Sequence, residues 1–284
     1  MSKSLELLDA FIVGAGPTGL AAAIEAQQFD LNYVVVDKGC ITNSIFHFPT
    51  QMIFFTTPEL LEIGNMPLVC EREKSNRNEA LKYYRKVVRA KGLNVRQYEE
   101  VRQVSREGDE FEIETSAATY RARCVVLSTG YYDNPNMLGI PGEHLPHVSH
   151  YYTEAHPYFE RDVVVIGGQN SAAEAALELF RAGARVTLLH RKKELGQSLK
   201  YWVGPDIKNR IERKEITAYL DTQVIEILPD RVRARQNSTE IELKYFRLAH
   251  TRALKESYRF NVWQAQTFLA PMVDGTNQQQ GHVG

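Results

Sequence analysis

The sequence predicts an α/β fold made of two copies of one parallel β-α-β unit. Three observations carry that prediction. An apolar strand runs into a Gly-rich turn twice, at Asp9-Ala10-Phe11-Ile12-Val13-Gly14-Ala15-Gly16-Pro17-Thr18-Gly19 and at Asp162-Val163-Val164-Val165-Ile166-Gly167-Gly168-Gln169-Asn170-Ser171-Ala172. Each turn opens a helix of small residues. Each helix leads to a second apolar strand that ends on charge, with Asp37 after the first and His190-Arg191-Lys192-Lys193 after the second. Asp37 follows Gly14, and His190 follows Gly167, by the same number of positions.

The elements follow in order. Leu7 to Val13 reads as a buried strand, Thr18 to Gln28 as an Ala-rich helix and Tyr33 to Val36 as the next strand. A long loop runs from Lys38 to about Leu61, with Phe46, Phe48, Phe54 and Phe55 among its prolines. Its aromatic content suits a segment covering a cofactor, or one that only plugs its own core. Asn78 to Lys91 has helical spacing, with Gly92 as its C-cap. The segments 95–98, 101–105, 111–115 and 120–127 read as a small β-meander returning to the main sheet. Pro135, Pro141, Gly142 and Pro146 mark a boundary. The second unit repeats the plan with a strand at 163–166, a helix at 171–182 and a strand at 185–189. A helix at 205–213 and strands at 217–220, 224–228 and 241–243 complete it. The expected domains are 1–150, 151–244 and an atypical segment, 245–284, that is polar at its end and poorly ordered.

Composition bounds the chemistry. The 284 residues suffice for two modest domains, and 43% hydrophobic with 24% charged residues is ordinary for a globular protein. A net charge of −1 gives no reason to expect nucleic acid. No run approaches the roughly 18 apolar residues of a membrane span, and the first residues lack a signal-peptide core, so cytoplasmic residence is expected. The three cysteines, Cys40, Cys70 and Cys124, suggest neither a disulfide framework nor a zinc site. The eight histidines show no metal-ligand spacing, and no metal is expected.

The turns carry the chemistry. In the first, Gly14 permits the bend, Gly16 lets a pyrophosphate approach the backbone, and Gly19 lets helix and strand pack closely. The helix start offers free N–H groups to phosphate. Asp37 suits the hydroxyls of an adenosine ribose, as FAD presents them. In the second, Gly167 opens the bend, Gln169 replaces the middle glycine and Ala172 is an accepted third residue. Gln169 restricts backbone approach or sets its amide beside the phosphates. The basic cluster His190-Arg191-Lys192 suits a 2′-phosphate, as NADPH presents it, or is a solvated surface run. Two Rossmann-like dinucleotide-binding domains are therefore expected, one for FAD and one for NADPH.

Joined through Ser128-Thr129-Gly130 and Ile140-Pro141-Gly142, these units resemble the two-dinucleotide-binding flavoproteins, in the small thioredoxin-reductase-like branch. Within it the chain resembles the bacillithiol disulfide reductase family. The run from Asn43-Ser44-Ile45-Phe46-His47-Phe48-Pro49-Thr50 through Phe54-Phe55-Thr56-Thr57-Pro58-Glu59 to Glu62-Ile63-Gly64 is the most specific carrier. The resemblance implies an NADPH domain inserted in an FAD domain. It implies an enzyme passing hydride from NADPH to flavin and then to a low-molecular-weight disulfide such as bacillithiol disulfide, often as a homodimer. It places Asp37, Asn43 and Thr129 near FAD, and with the turn motif and its neighbours the expected FAD side is Gly14, Gly16, Pro17, Thr18, Gly19, Asp37, Lys38, Asn43, Thr129 and Gly130. It places Gly167, Gln169, Asn170, Ser171, Ala172, His190, Arg191 and Lys192 near NADPH. No acid, base or nucleophile is assigned.

Two departures stand out. Family members commonly carry Cys where this chain has Thr18, which cannot exchange thiols. The branch also closes its flavin site with a C-terminal Gly-Asp turn that is not found after Leu243, where Asp274-Gly275 has the reverse order. The C-terminal part of the FAD domain is thus expected to be missing or altered. Two other readings remain open. One is a ferredoxin- or flavodoxin-NADP reductase-like enzyme serving a redox carrier protein. The other is an inactive nucleotide-binding remnant.

Overall fold

The computed structural model describes residues 6–130, 132–135, 137–245 and 247–250. The expectations placed on 251–284, including the Asp274-Gly275 pair, lie outside these residues. The described residues form two compact units, 6–47 with 53–130, and 48–52 with 132–250.

The first unit is built on a six-stranded sheet ordered β3-β2-β1-β6-β5-β4. Strands β1 (Leu7–Val13), β2 (Tyr33–Asp37) and β6 (Thr119–Leu127) run parallel, because helix α1 (Pro17–Gln28) returns the chain between β1 and β2. Val34, Val35, Val36, Phe11 and Ile12 are buried, as expected of strands covered on both faces. Ala21, Ala22, Ala23 and Ala26 are buried on α1, where small side chains let the helix approach the sheet. Strands β4 (Val101–Glu107) and β5 (Glu110–Thr115) join β6 as the expected antiparallel meander. Strand β3 (Val95–Gln97) is not part of it. It pairs in parallel with β2 at the opposite edge, since helix α3 (Arg77–Lys91) carries the chain across the sheet.

Helix α3 starts one residue before its expected position. Asn76 and Glu79 form a reciprocal capping box there, and Gly92 ends the helix at φ +63°. The aromatic loop is partly helical. A one-turn helix, α2 (Asn43–Phe46), follows Thr42, and a 3-10 turn spans Pro58–Leu60. Both were invisible to periodicity at this length. The loop's far end is tied to α3. The Tyr84 hydroxyl donates to the Leu61 carbonyl at 2.9 Å, and the Tyr83 hydroxyl accepts from the Ile63 N–H at 2.8 Å. Tyr84 is fully buried, so Tyr84→Phe leaves that carbonyl without its donor. The expected cost is about 1–3 kcal/mol, read from chemical-denaturation midpoints.

The second unit has a parallel five-stranded sheet ordered β10-β9-β8-β14-β7 and a separate antiparallel sheet β11-β12-β13. Strand β8 (Asp162–Ile166), helix α4 (Asn170–Arg181) and strand β9 (Arg185–Leu189) repeat the β-α-β plan. Helix α5 (Val203–Glu212) and strand β10 (Thr217–Tyr219) follow. The structure differs from expectation at both domain boundaries. Strand β7 (Val148–Ser149) is an edge of the second sheet, and the Ile227 N–H donates to the Pro141 carbonyl at 2.9 Å. Residues 132–150 therefore belong to the second unit rather than the first. At the other end β14 (Arg247–His250) lies between β8 and β7, so the second sheet extends past residue 244. A four-residue strand is too short for period 2 to announce itself. Strand β12 (Arg231–Gln236), between β11 (Thr222–Ile227) and β13 (Thr239–Lys244), was also missed, because only Val232 and Ala234 face its core.

Candidate functional site

The first candidate site gathers at the C-terminal ends of β1, β2 and β6. The Gly14 N–H donates to Val36 at 2.7 Å, and the Ser128 N–H donates to Val13 at 2.8 Å. These bonds bring Gly14, Asp37 and Ser128-Thr129-Gly130 to one edge. Gly14 has φ +104°, and a Cβ there would overlap the Ser128 carbonyl. A Cβ on Gly19 would overlap the Gly14 carbonyl. Gly16 is different: a Cβ there meets nothing within 4 Å. The three glycines thus have separate tasks, two in packing and one in leaving space.

Asp37 is engaged on both oxygens. It accepts the Ala15 N–H at 2.7 Å and the Gly39 N–H at 2.8 Å, which fixes the carboxylate beside the turn and leaves lone pairs for hydroxyl donors. The Thr42 N–H donates to the Ala15 carbonyl at 2.9 Å, drawing Asn43 and α2 to the same edge. Gly39 lies against the Asn43 side chain. Lys38, Thr129 and Gly130 are exposed there, and Thr18 is half-buried in the first turn of α1. Pro17 sits at that helix's first position, where no N–H is needed.

These residues fit a dinucleotide pyrophosphate. The start of α1 has no side-chain cap and no acidic residue in its first turn. Its N–H groups and the positive end of its dipole face the open space over Gly16. Ser128 Oγ, buried behind Gly19, has no hydrogen-bond partner among the described residues.

The three thiols shift away from the thiolate form, although the Arg77 and Arg85 charges pull Cys40 the other way. Burial pushes Cys40, Cys70 and Cys124 above the ordinary cysteine value. Each is therefore held further toward the unreactive thiol. Among the described residues no three His, Cys, Asp or Glu side chains gather as a cation site.

The second candidate site repeats the geometry with different detail. The Gly167 N–H donates to Leu189 at 2.9 Å, which joins the turn to the end of β9. The start of α4 again lacks a side-chain cap and an acidic residue. Ala172 is buried against the sheet, and Ser171 is half-buried in the first turn. A strap at 194–200, which the sequence did not signal, folds over this turn. The Gly196 N–H donates to Gly168 at 2.7 Å. The Gln169 amide oxygen accepts from Ser198 Oγ at 3.4 Å and closes against Gly196. Asn170 donates to the Ser198 carbonyl at 3.0 Å and accepts the Lys200 N–H at 2.7 Å. Gln169 and Asn170 therefore hold the strap in this arrangement.

His190 separates from its basic neighbours. It is 7% exposed and packs its ring against Gly168, where no Cβ would fit. Burial pushes its imidazole below the ordinary 6.5. The Lys192 and Arg191 charges act the same way, against one opposing backbone hydrogen bond at Glu194. The cationic group at neutral pH is thus Arg191, Lys192 and Lys193, all exposed and without an ion pair among the described residues. A depressed imidazole means that the unfolded chain binds more protons just below pH 6.5. Stability should fall as pH drops through about 6.5 toward the folded value, and the fall should end below it. Denaturant midpoints measured between neutral pH and about pH 5 should show this slope, and His190→Gln should flatten it.

The profile of the pyridine nucleotide-disulphide oxidoreductases matches residues 11–251, from the first strand through β14. The chain belongs to this family. The chain is 44% identical to the bacilliredoxin reductase Bdr of Bacillus subtilis over 233 residues, covering 82% of this chain and 72% of that protein. Two solved structures of bacillithiol disulfide reductase Bdr (YpdA) are similar in fold. That from Bacillus cereus gives a TM-score of 0.85 at 41% identity, covering 87% of this chain and 78% of its own. That from Staphylococcus aureus gives 0.86 at 37%, covering 90% and 79%. Membership makes this chain a flavoprotein oxidoreductase. The pyridine nucleotide-disulphide oxidoreductases use FAD and NADPH, matching the two turns.

Proposed function

We propose that this chain oxidises NADPH and reduces a low-molecular-weight disulfide such as bacillithiol disulfide. The balance is NADPH, a proton and one disulfide giving NADP⁺ and two thiols. The observation that carries the reading is the opposition of charge at the ends of two equivalent strands, Asp37 closing β2 and Arg191-Lys192 following β9. An acid accepts ribose hydroxyls and repels a 2′-phosphate; exposed cations attract one. The likeness to the two bacillithiol disulfide reductases supports the disulfide as acceptor.

In this reading FAD, when bound, supplies the two-electron exchange between nucleotide and disulfide. Gly16 and the α1 N-terminus bind its pyrophosphate, and Asp37 orients its ribose. Pro17, Thr18, Gly19, Lys38, Asn43, Thr129 and Gly130 complete that side. Gly167, Gln169, Asn170, Ser171 and Ala172 form the cradle for NADPH. Arg191 and Lys192 bind its phosphate, with His190 shaping the turn beneath them.

One observation favours a second reading, in which the acceptor is a redox carrier protein. Thr18 has no thiol, and burial raises all three cysteines. Anaerobic titration of the purified chain with NADPH, followed by each acceptor, tests both. Flavin bleaching reversed by bacillithiol disulfide, with two thiols released per NADPH, is the expected result. Reoxidation only by ferredoxin or flavodoxin would replace it with the second reading. Nucleotide binding without flavin or bleaching would leave the inactive remnant.

A further inference from the structure

A second guanidinium reaches the end of β9 from a part of the sequence with no nucleotide motif. A pocket of about 450 Å³ is lined by Arg191, Asp221, Gln223, Arg235, Asn237 and Ser238. Arg191 follows β9, Asp221 lies in the turn before β11, and the rest come from the antiparallel sheet β11-β12-β13 and its turn. Backbone bonds sew that sheet to the basic cluster. The Asp221 N–H donates to the Lys192 carbonyl at 2.8 Å, and the Thr222 N–H donates to His190 at 2.9 Å. Gln236 Nε2 donates to Leu220 at 2.9 Å. Gln223 and Arg235 are direct partners across β11 and β12, so both side chains share one face.

That face explains how Arg235 is held. Val232 and Ala234 point into the core, so Arg231, Arg233 and Arg235 share the opposite side. Arg231 and Arg233 are spent on the sheet, pairing with Asp230, Glu226, Glu240 and Glu242. Arg235 pairs with Glu240 at 3.2 Å through one nitrogen, and a guanidinium has five N–H donors. Glu240 thus steadies the side chain and leaves donors for the pocket. Asp221 sets the stakes. With two arginines and one carboxylate the lining is positive; with one arginine it is neutral. The second guanidinium decides whether a phosphate is drawn in.

We propose that Arg235 reads the 2′-phosphate of the pyridine nucleotide together with Arg191, and that Asp221 opposes them. This rests on the reading that the nucleotide is NADPH. The pocket is a selectivity device built by the antiparallel sheet as well as by the strand-end motif.

Calorimetric titration of the full chain with 2′,5′-ADP and with 5′-AMP tests it without turnover. Arg235→Ala should weaken 2′,5′-ADP about tenfold, the loss of one charge-assisted hydrogen bond, and leave 5′-AMP unchanged. Arg235→Gln, which keeps more of the stem over the sheet, should do the same. Asp221→Asn should tighten 2′,5′-ADP. If Arg191→Ala weakens 2′,5′-ADP selectively while the Arg235 variants weaken both ligands equally or neither, the assignment of Arg235 is overturned and the NADPH reading stands. If the unaltered chain does not prefer 2′,5′-ADP over 5′-AMP, both fall.

Discussion

Gly14→Val and Gly16→Val should fail in different ways. At Gly14 a side chain needs φ +104° and overlaps the carbonyl of Ser128, a residue held in place by its N–H bond to the Val13 carbonyl. Backbone strain and forced overlap each cost about 1–3 kcal/mol, so the first unit should lose about 2–6 kcal/mol. Flavin should be lost with the fold, since the same carbonyl shift moves Thr129 and Gly130. At Gly16 the backbone is ordinary (φ −75°) and the space is open. Gly16→Val should melt close to the unaltered chain, yet purify with little flavin, because its methyl groups fill the approach to the α1 N-terminus. Measuring flavin content and melting temperature on both variants separates the tasks. Equal flavin retention in Gly16→Val would remove the pyrophosphate from that space.

Residue types with only one use were easiest to read in the sequence. Glycines before a helix, an acid at the end of β2 and cations following β9 stand out from spacing alone, because each β-α-β unit brings its turn and the end of its second strand to one edge. Elements whose role is set by distant partners were not. Strand β3 looks like its meander neighbours, and only its pairing with Val35, Val36 and Asp37 gives it the opposite edge. Strand β12 carries three arginines on one face and gives no strand signal, although its other face buries Val232 and Ala234, with Val232 in a core beside Val224 and Ile227. Arg235 was hidden for the same reason. His190 shows the converse. Next to Arg191 and Lys192 it reads as a third cation, but its position under Gly168 buries the ring and keeps it neutral. A sequence gives charge types; burial decides which of them are charges.

Removing two of the three exposed cations, as Arg191→Ala with Lys192→Ala, should reverse the nucleotide preference rather than abolish binding. Each charge-assisted bond to a phosphate is worth about 1.5–3 kcal/mol, so the pair should weaken NADPH by about a hundredfold or more. NADH lacks the group they bind, and the turn at Gly167, the α4 N-terminus and the strap are untouched, so its affinity should stay within about twofold. Salt gives an independent reading. Arg191 and Lys192 are exposed, so their attraction is screened over about 8 Å at physiological ionic strength. NADPH binding to the unaltered chain should weaken as salt rises, NADH binding should change less, and the double variant should lose that difference. An equal loss of both nucleotides would instead mean that these residues support the turn. His190 would not restore the preference at neutral pH, because it is buried and uncharged there. At lower pH its protonation is opposed by burial and by the Lys192 and Arg191 charges. In the proposed reading, the guanidinium and ammonium groups are therefore the ones that hold the 2′-phosphate.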